Sequence, residues 1–208
     1  MLTDTRVLEV EDFGAGSAVF KTNKRAVSAI AASSLKPKKY AQLLFRIVNH
    51  YKPTTILELG TSFGITSAYL AAANEQVTVF TCEGAPAIAG IARQNFEKLQ
   101  LKNIQLTEGD FAQTLAPLLT NLPAINFAFI DGNHRKEPTL TYFTQLLDHA
   151  TAYSMFVFDD IHWSEGMEEA WAIIQKHPAV TLSIDLFFIG IVFFNPDINH
   201  KQHFAIRF

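Results

Sequence analysis

The 208-residue sequence contains one cysteine, Cys82, so no intramolecular disulfide is open to it. Disulfide-stapled secreted scaffolds are thereby excluded, and a reducing cytoplasm is the expected setting. Nor does charge of one sign dominate, since 17 Lys and Arg against 20 Asp and Glu leave a net charge of −3. Without a basic field, a nucleic-acid partner is not expected. A bilayer-spanning helix takes about 20 apolar residues. The run that comes nearest, LFFIGIVFF at 186–194, has nine, bracketed by Asp185 and Asn195. No membrane role is expected, and its β-branched and aromatic content predicts two strands turning near Gly190. The start of the chain shows no charged-then-apolar leader. Internal repeats, low-complexity tracts and linkers are likewise missing.

Hydrophobic residues make up 49% of the chain, enough for one domain of ordinary size with a full core. Helical spacing predicts helices over 23–34 and 38–51, separated near Pro37, and this helical arm or lid, 1–52, precedes the fold proper at 53–208. Beyond residue 54, strands and helices alternate: helices near 64–73, 86–99, 111–119, 138–149 and 165–176, and strands near 77–82, 104–107, 125–130 and 154–158. Alternation of this kind predicts an α/β fold with a mostly parallel sheet and helices on both faces. With the strand before Gly60 and the terminal antiparallel hairpin, the sheet has seven strands and is Rossmann-like and doubly wound.

Residues 56–67, ILELGTSFGITS, carry the most information, because an apolar run ends in an acid and a glycine pair as a helical pattern begins. Gly60 and Gly64 allow a sharp turn and close approach of backbone to a ligand, and the first N–H groups of the next helix face the same space. Phe63 stands where a pyrophosphate-binding glycine pattern would continue, and Glu58 would repel a pyrophosphate while attracting an ammonium or sulfonium group. A nicotinamide-dependent oxidoreductase is therefore disfavoured, though it stays the first alternative. A non-catalytic nucleoside-binding protein is the second, since fold does not guarantee activity.

The Glu58, Gly60 and Gly64 spacing after a strand resembles the first motif of the class I S-adenosylmethionine-dependent methyltransferases. Three later segments fall where that family would put them: VTVFTCE ending at Glu83, IQLTEGD ending at Asp110, and NFAFIDG containing Asp131. The resemblance covers roughly residues 40 to 195. It implies that S-adenosylmethionine is bound by Glu58, Gly60, Thr61, Ser62, Gly64, Glu83, Gly84, Gly109, Asp110, Phe111 and Asp131. Glu83 would meet the ribose hydroxyls and Asp110 the adenine amino group. As strand-end caps or turn formers, the same acids need no ligand.

Glu58, Glu83, Asp110, Asp131, Asp159 and Asp160 all stand at carboxyl ends of predicted strands, where open α/β sheets bind ligands. Three carboxylates brought together disfavour their joint ionisation unless a proton or cation compensates. Asp131, Asp159 and Asp160 are similar to the Mg²⁺-binding acids of metal-dependent small-molecule O-methyltransferases, with an Asp-Asp pair in place of Asp-Asn. The competing reading has Asp159 capping the next helix and Asp160 in a salt bridge. His134 stands three residues after Asp131, where catechol-type relatives carry a lysine. A histidine, with an ordinary pKa of about 6.5, takes a proton near neutral pH, so His134 is the leading general base, with Asp131 beside it. The resemblance thus implies methyl transfer to a hydroxyl oxygen of a small molecule, with or without Mg²⁺.

His162 is the second base candidate, and Trp163 could stack on a planar substrate; packing or capping is the readier account of each. Phe13, in the glycine-containing segment 12–17, is a candidate substrate contact in a loop that closes over a site. Lys21, Lys24, Arg25, Lys36, Lys38 and Lys39 read as the solvated face of arm helices. The arm and the aromatic hairpin would also suit a homodimer. Nothing in the sequence names the acceptor.

Overall fold

The computed structural model describes residues 1–10 and 23–208. Phe13, Lys21 and the loop expected at 12–17 lie outside the described residues.

The strands are β1 (Val7–Glu9), β2 (Lys24–Ala26), β3 (Thr55–Leu59), β4 (Thr78–Glu83), β5 (Ile104–Glu108), β6 (Ile125–Ile130), β7 (Ala150–Asp159), β8 (Leu182–Asp185), β9 (Ile189–Phe193) and β10 (Gln202–Ala205). The helices are α1 (Val27–Ser34), α2 (Lys38–Tyr51), α3 (Ile65–Ala72), α4 (Pro86–Lys98), α5 (Phe111–Thr120), α6 (Lys136–Leu147) and α7 (Glu165–Lys176). β1 and β2 form a small antiparallel pair, and the other strands make one sheet in the order β10-β8-β9-β7-β6-β3-β4-β5. β4 runs parallel to β5 and β6 to β7, whereas β9 is antiparallel to both β7 and β8. Contacts divide the described chain into two units, Met1–Thr54 with Glu58–Leu115 and Thr55–Leu57 with Ala116–Phe208.

Every residue of β3, which divides between the two units at Leu57 and Glu58, is buried, as expected for a strand covered on both faces. α2 buries one stripe, Tyr40, Ala41, Leu44 and Val48, at helical spacing. It ends at Lys52 in the left-handed conformation, whose N–H returns to the Val48 carbonyl. α1 packs into a cluster with Val10, Phe63, Ala85, Ile88 and Ile91, so the arm rests directly on the turn after β3. The predicted helix over 23–34 begins later than expected, because Lys24–Ala26 pairs with Val7–Glu9 instead.

In the second unit, β7 carries Met155, Phe156, Val157 and Phe158 fully or almost fully buried. α6 and α7 are tied by an ion pair, Lys136 Nζ to Glu169 Oε2 at 2.6 Å. Two expectations are corrected here. The hairpin does not turn near Gly190, which lies inside β9 opposite Phe158 and Asp185. Gly190 is needed because the Trp171 indole lies over it; a Cβ would come within 2.6 Å of that ring. The turn falls instead at Leu186, Phe187 and Phe188. Among the described residues the sheet also has eight strands where seven were expected, since β10 adds to the edge beside β8 in parallel register. β10 is exposed at all four positions, so it lacks the buried alternation that marks a strand in sequence. No helix among the described residues is long and apolar enough to cross a membrane.

Candidate active site

β3 delivers Glu58 to the interior of the first unit. Its side chain is wholly buried; Oε2 accepts from the Thr81 hydroxyl at 2.6 Å and from the Ser67 hydroxyl. Thr61 Oγ1 lies 2.6 Å from Thr81 Oγ1. Since Thr81 gives its one proton to Glu58, Thr61 must donate to Thr81, forming a buried relay. Glu58 Oε1 meets no hydrogen-bond donor among the described residues. Burial raises the Glu58 pKa to about 7; Ser67 and Thr81 pull it down and Glu83 adds a smaller push upward. Sequence reasoning found the acid but missed Ser67 and Thr81, whose signal was a hydroxyl on the inward face of an apolar helix and an apolar strand.

After Glu58 the chain turns through Gly60 (φ 103°), Ser62 (φ 48°) and Gly64 (φ 75°). The Gly60 and Thr61 N–H groups both donate to the Cys82 carbonyl, at 3.0 and 3.1 Å, which fastens the turn to β4. Gly64 is required twice, by its left-handed φ and because a Cβ there would collide with the Phe96 ring. Asn95 Nδ2 donates to the Phe63 carbonyl at 2.9 Å, and Ser62 Oγ is 3.1 Å from Ser34 Oγ of α1. The arm therefore reaches the turn through a side chain as well as through apolar packing.

Glu83 ends β4 and accepts the Ser62 N–H on Oε2 at 2.8 Å and the Ala85 N–H on Oε1 at 2.9 Å. It thus ties two loops together, with Gly84 between its own backbone and Ala85. Gly109 (φ 124°) donates to the Glu83 carbonyl at 2.9 Å, and Asp110 Oδ1 accepts the Ala112 N–H at 3.0 Å at the start of α5, one residue beyond Phe111. Cys82, behind this turn, is buried; desolvation first, then Glu58 and Glu83, push its thiol up to about 12, so it is inert.

The second unit gathers a different set of groups. Asp131 follows β6, Asp159 ends β7, and ligating atoms of Asp131, His134 and Asp159 all lie within 4.8 Å of one another. His134 Nε2 is 3.5 Å from Asp131 Oδ1, and its Nδ1 is 3.8 Å from Asp160 Oδ2. Asn133 (φ 72°), His134 (φ 39°) and Asp160 (φ 53°) all occupy the left-handed region without being glycine. Asp160 donates its N–H to the Phe188 carbonyl at 2.7 Å and accepts the Trp163 N–H at 2.9 Å. Of the expected trio, Asp131 and Asp159 come together with His134, while the Asp160 carboxylate is seen facing His134. Asp159 does not cap the next helix; Ser164 does, accepting the Met167 N–H at 3.3 Å.

His162 is held from both sides, Nε2 at 2.9 Å from Asp185 Oδ2 and Nδ1 at 3.2 Å from Glu168 Oε1. Desolvation lowers its pKa, but hydrogen bonds to Asp185 and Glu168, and then their charges, outweigh that and raise it overall. Asp185 also accepts from Trp171 Nε1 at 3.2 Å, and the His162 ring stacks on Phe187 with centroids 5.4 Å apart. This clamp was not legible, because Asp185 lies 23 residues from His162 across the hairpin.

The first unit thus holds a glycine turn over a buried acid and an acid at the end of β4, and the second a strand-end cluster of acids and a histidine. A methyltransferase domain model matches residues 57–161, just over half of the chain, and the chain belongs to that family. The methyltransferase expected from the segment around Glu58 is therefore met. The fold is similar to an O-methyltransferase from Bacillus cereus in complex with SAH, at 22% identity and a TM-score of 0.65 over 79% of this chain and 86% of that one. It is similar to SAH-bound methyltransferase PaMTH1 of Podospora anserina, at 16% identity and a TM-score of 0.69 over 79% and 81%. It also resembles the O-methyltransferase TomG of Streptomyces achromogenes, involved in tomaymycin synthesis and solved with SAM, at 18% identity and a TM-score of 0.67 over 77% and 82%. No curated protein sequence matches the chain.

Proposed function

We propose that this protein transfers the methyl group of S-adenosylmethionine to a hydroxyl oxygen of a small molecule, in a reducing, cytoplasmic setting. The observation that carries the choice of oxygen is the Asp131, His134 and Asp159 grouping, because a hydroxyl must lose a proton to be methylated while the protein need supply little else. Solved structures of the same fold with SAM or SAH bound support the cofactor.

The residues of the first unit suit that cofactor. The turn through Gly60 and Gly64 is held in a fixed shape by its own N–H bonds, and the buried Glu58 gives it a negative or neutral floor according to its proton. Glu83, at the end of β4, would meet the ribose hydroxyls, and Asp110 the adenine amino group. When bound, S-adenosylmethionine supplies a methyl already activated on sulfonium sulfur, so the S–CH₃ bond breaks as the O–CH₃ bond forms.

His134 takes the hydroxyl proton in this reading, and Asp131 and Asp160, near its two nitrogens, stabilise the imidazolium that results. Asp159, 2% exposed, adds a third carboxylate on the same side. Two carboxylates and an imidazole also make a donor set that fits a divalent cation, whose chemistry there would be to acidify a bound hydroxyl. Asp131, Asp159 and Asp160 would hold Mg²⁺ if His134 stays free as base; the close approach of His134 to Asp131 and Asp159 favours a second reading in which it is itself a ligand. A homodimer remains part of the proposal.

The test is transfer of labelled methyl from S-adenosylmethionine to a panel of phenols, catechols and sugars, with EDTA or added Mg²⁺. His134→Ala abolishing turnover while S-adenosylmethionine still binds supports the assignment. Turnover indifferent to His134 contradicts it, and full activity in EDTA rules out the metal.

A further inference from the structure

Glu58 sits where an acid is rarely found. It is 0% exposed, and its hydrogen-bond donors are two hydroxyls, Ser67 on α3 and Thr81 on β4, both aimed at Oε2. Oε1 is buried without a partner among the described residues. Neither protonation state is satisfied there: an ionised carboxylate lacks a donor to Oε1, and a proton on Oε1 lacks an acceptor. A buried group whose partners favour neither form responds to any further charge brought near it.

The charged and titratable groups around it are few. Burial is the strongest influence, the two hydroxyls oppose it, and Glu83 at the end of β4 and then Lys36 before α2 add smaller pushes in opposite directions, for a pKa of about 7. Cys82, also on β4, keeps its proton. Thr81 connects this acid to the glycine turn: its Oγ1 lies 2.6 Å from Glu58 Oε2 and 2.6 Å from Oγ1 of Thr61. The Gly60 and Thr61 N–H groups are both bonded to the Cys82 carbonyl, next to Thr81, so the turn is fastened over the acid. Two hydrogen bonds separate the carboxyl from the Thr61 side chain of the turn.

We infer that Glu58 is a specificity-determining residue that distinguishes S-adenosylmethionine from S-adenosylhomocysteine by charge: it releases its proton to solvent when the sulfonium form binds at the turn, and recovers one from solvent when the neutral thioether is left there. The inference rests on the methyl-transfer reading and adds to it what sets the order of affinity for cofactor and spent product. The two ligands differ by one methyl group and one positive charge, and a buried charge is screened far less than one at the surface. An opposite charge nearby lowers a carboxyl pKa by about one to three units, and each unit corresponds to about tenfold in affinity. Ionised Glu58 gains no such attraction from the thioether, so spent product is held less tightly.

The test is calorimetric titration of the full chain with each of the two ligands at pH 7, in buffers of different ionisation heat so that released protons are counted, and at pH 5.5 and 8.5 for affinity. S-adenosylmethionine should release close to half a proton at pH 7 and bind about tenfold more tightly at the higher pH than at the lower. S-adenosylhomocysteine should release markedly less and change less in affinity. Glu58→Gln, which keeps an acceptor for both hydroxyls, should abolish that difference between the ligands, and His134→Ala should keep it. Thr81→Val removes a donor that favours the ionised form, so it should move the midpoint of the pH dependence upward; it also keeps the test open if Glu58→Gln does not fold. Equal proton release by the two ligands in wild type overturns the inference, as does a difference that survives in Glu58→Gln or disappears in His134→Ala. Failure of S-adenosylmethionine to bind wild type at every pH would instead overturn the methyl-transfer reading.

Discussion

The turn after β3 and the turns after β6 and β7 do similar work with opposite materials. The first is made of backbone, with positive φ at Gly60 and Gly64, N–H groups bonded to Cys82, and its acid, Glu58, sunk beneath it. The others are made of side chains: Asn133, His134 and Asp160 hold left-handed φ without glycine and present an imidazole and carboxylates. The first turn owes its shape to missing Cβ atoms at positive φ and to the Phe96 ring behind Gly64, whereas proton chemistry, in the proposed function, needs titratable groups even at a cost in strain. In the proposed function, binding and catalysis fall to separate local structures, so each should be open to disturbance alone.

Four substitutions sharpen that comparison. The largest effect is expected from Gly64→Val, which adds a β-branched side chain at φ 75° against Phe96. Denaturant unfolding should show a loss of about 3 kcal/mol or more, with S-adenosylmethionine binding lost. Asp159→Ala should do the reverse, lowering kcat by about a hundredfold or more while nucleoside affinity holds, as single-turnover kinetics and calorimetry would register. If it instead abolished nucleoside binding, the division of labour would be wrong.

Glu58→Gln tests the buried floor. Its pKa in the folded protein, about 7, is raised above its ordinary value of 4.5. The native state therefore keeps a proton that the unfolded state has released between those values. The stabilising contribution is fully present below 4.5 and is lost as pH rises through 7. Wild type should lose about 3 kcal/mol from this group between the two limits. Glu58→Gln should lose that much less, the difference cancelling the parallel loss from His162, whose pKa is also raised. The smallest change is expected from Lys136→Ala, which removes a half-exposed ion pair to Glu169 and should cost under about 1 kcal/mol by the same denaturation, with kcat intact.

How far these features could be read from sequence follows from the same contrast. Glycine spacing and alternating periods are local, so the turn at Gly60 and Gly64 and the run of strands and helices were legible. Groups brought together across the chain were not: Ser67 and Thr81 around Glu58, or Asp185 and Glu168 around His162. Gly190 misled for a definite reason, since it marks the seat of the Trp171 ring inside a strand and a glycine between aromatic runs looks the same as a turn. β10 escaped because it is exposed on both faces and so has no hydrophobic period. In the acid cluster the residue types were readable, but the approach of His134 to Asp131 and Asp159 follows left-handed φ at Asn133 and His134, a conformation these residue types tolerate but residue spacing alone does not give.

The central claim, nucleoside binding at the glycine turn and proton chemistry at the acid cluster, is tested most directly by calorimetric titration with S-adenosylmethionine, with Mg²⁺ or EDTA, on wild type, Gly64→Val and His134→Ala. The account predicts saturable binding to wild type and to His134→Ala with similar affinity, and none to Gly64→Val. Absence of binding to wild type under both conditions, or its loss in His134→Ala, would contradict it.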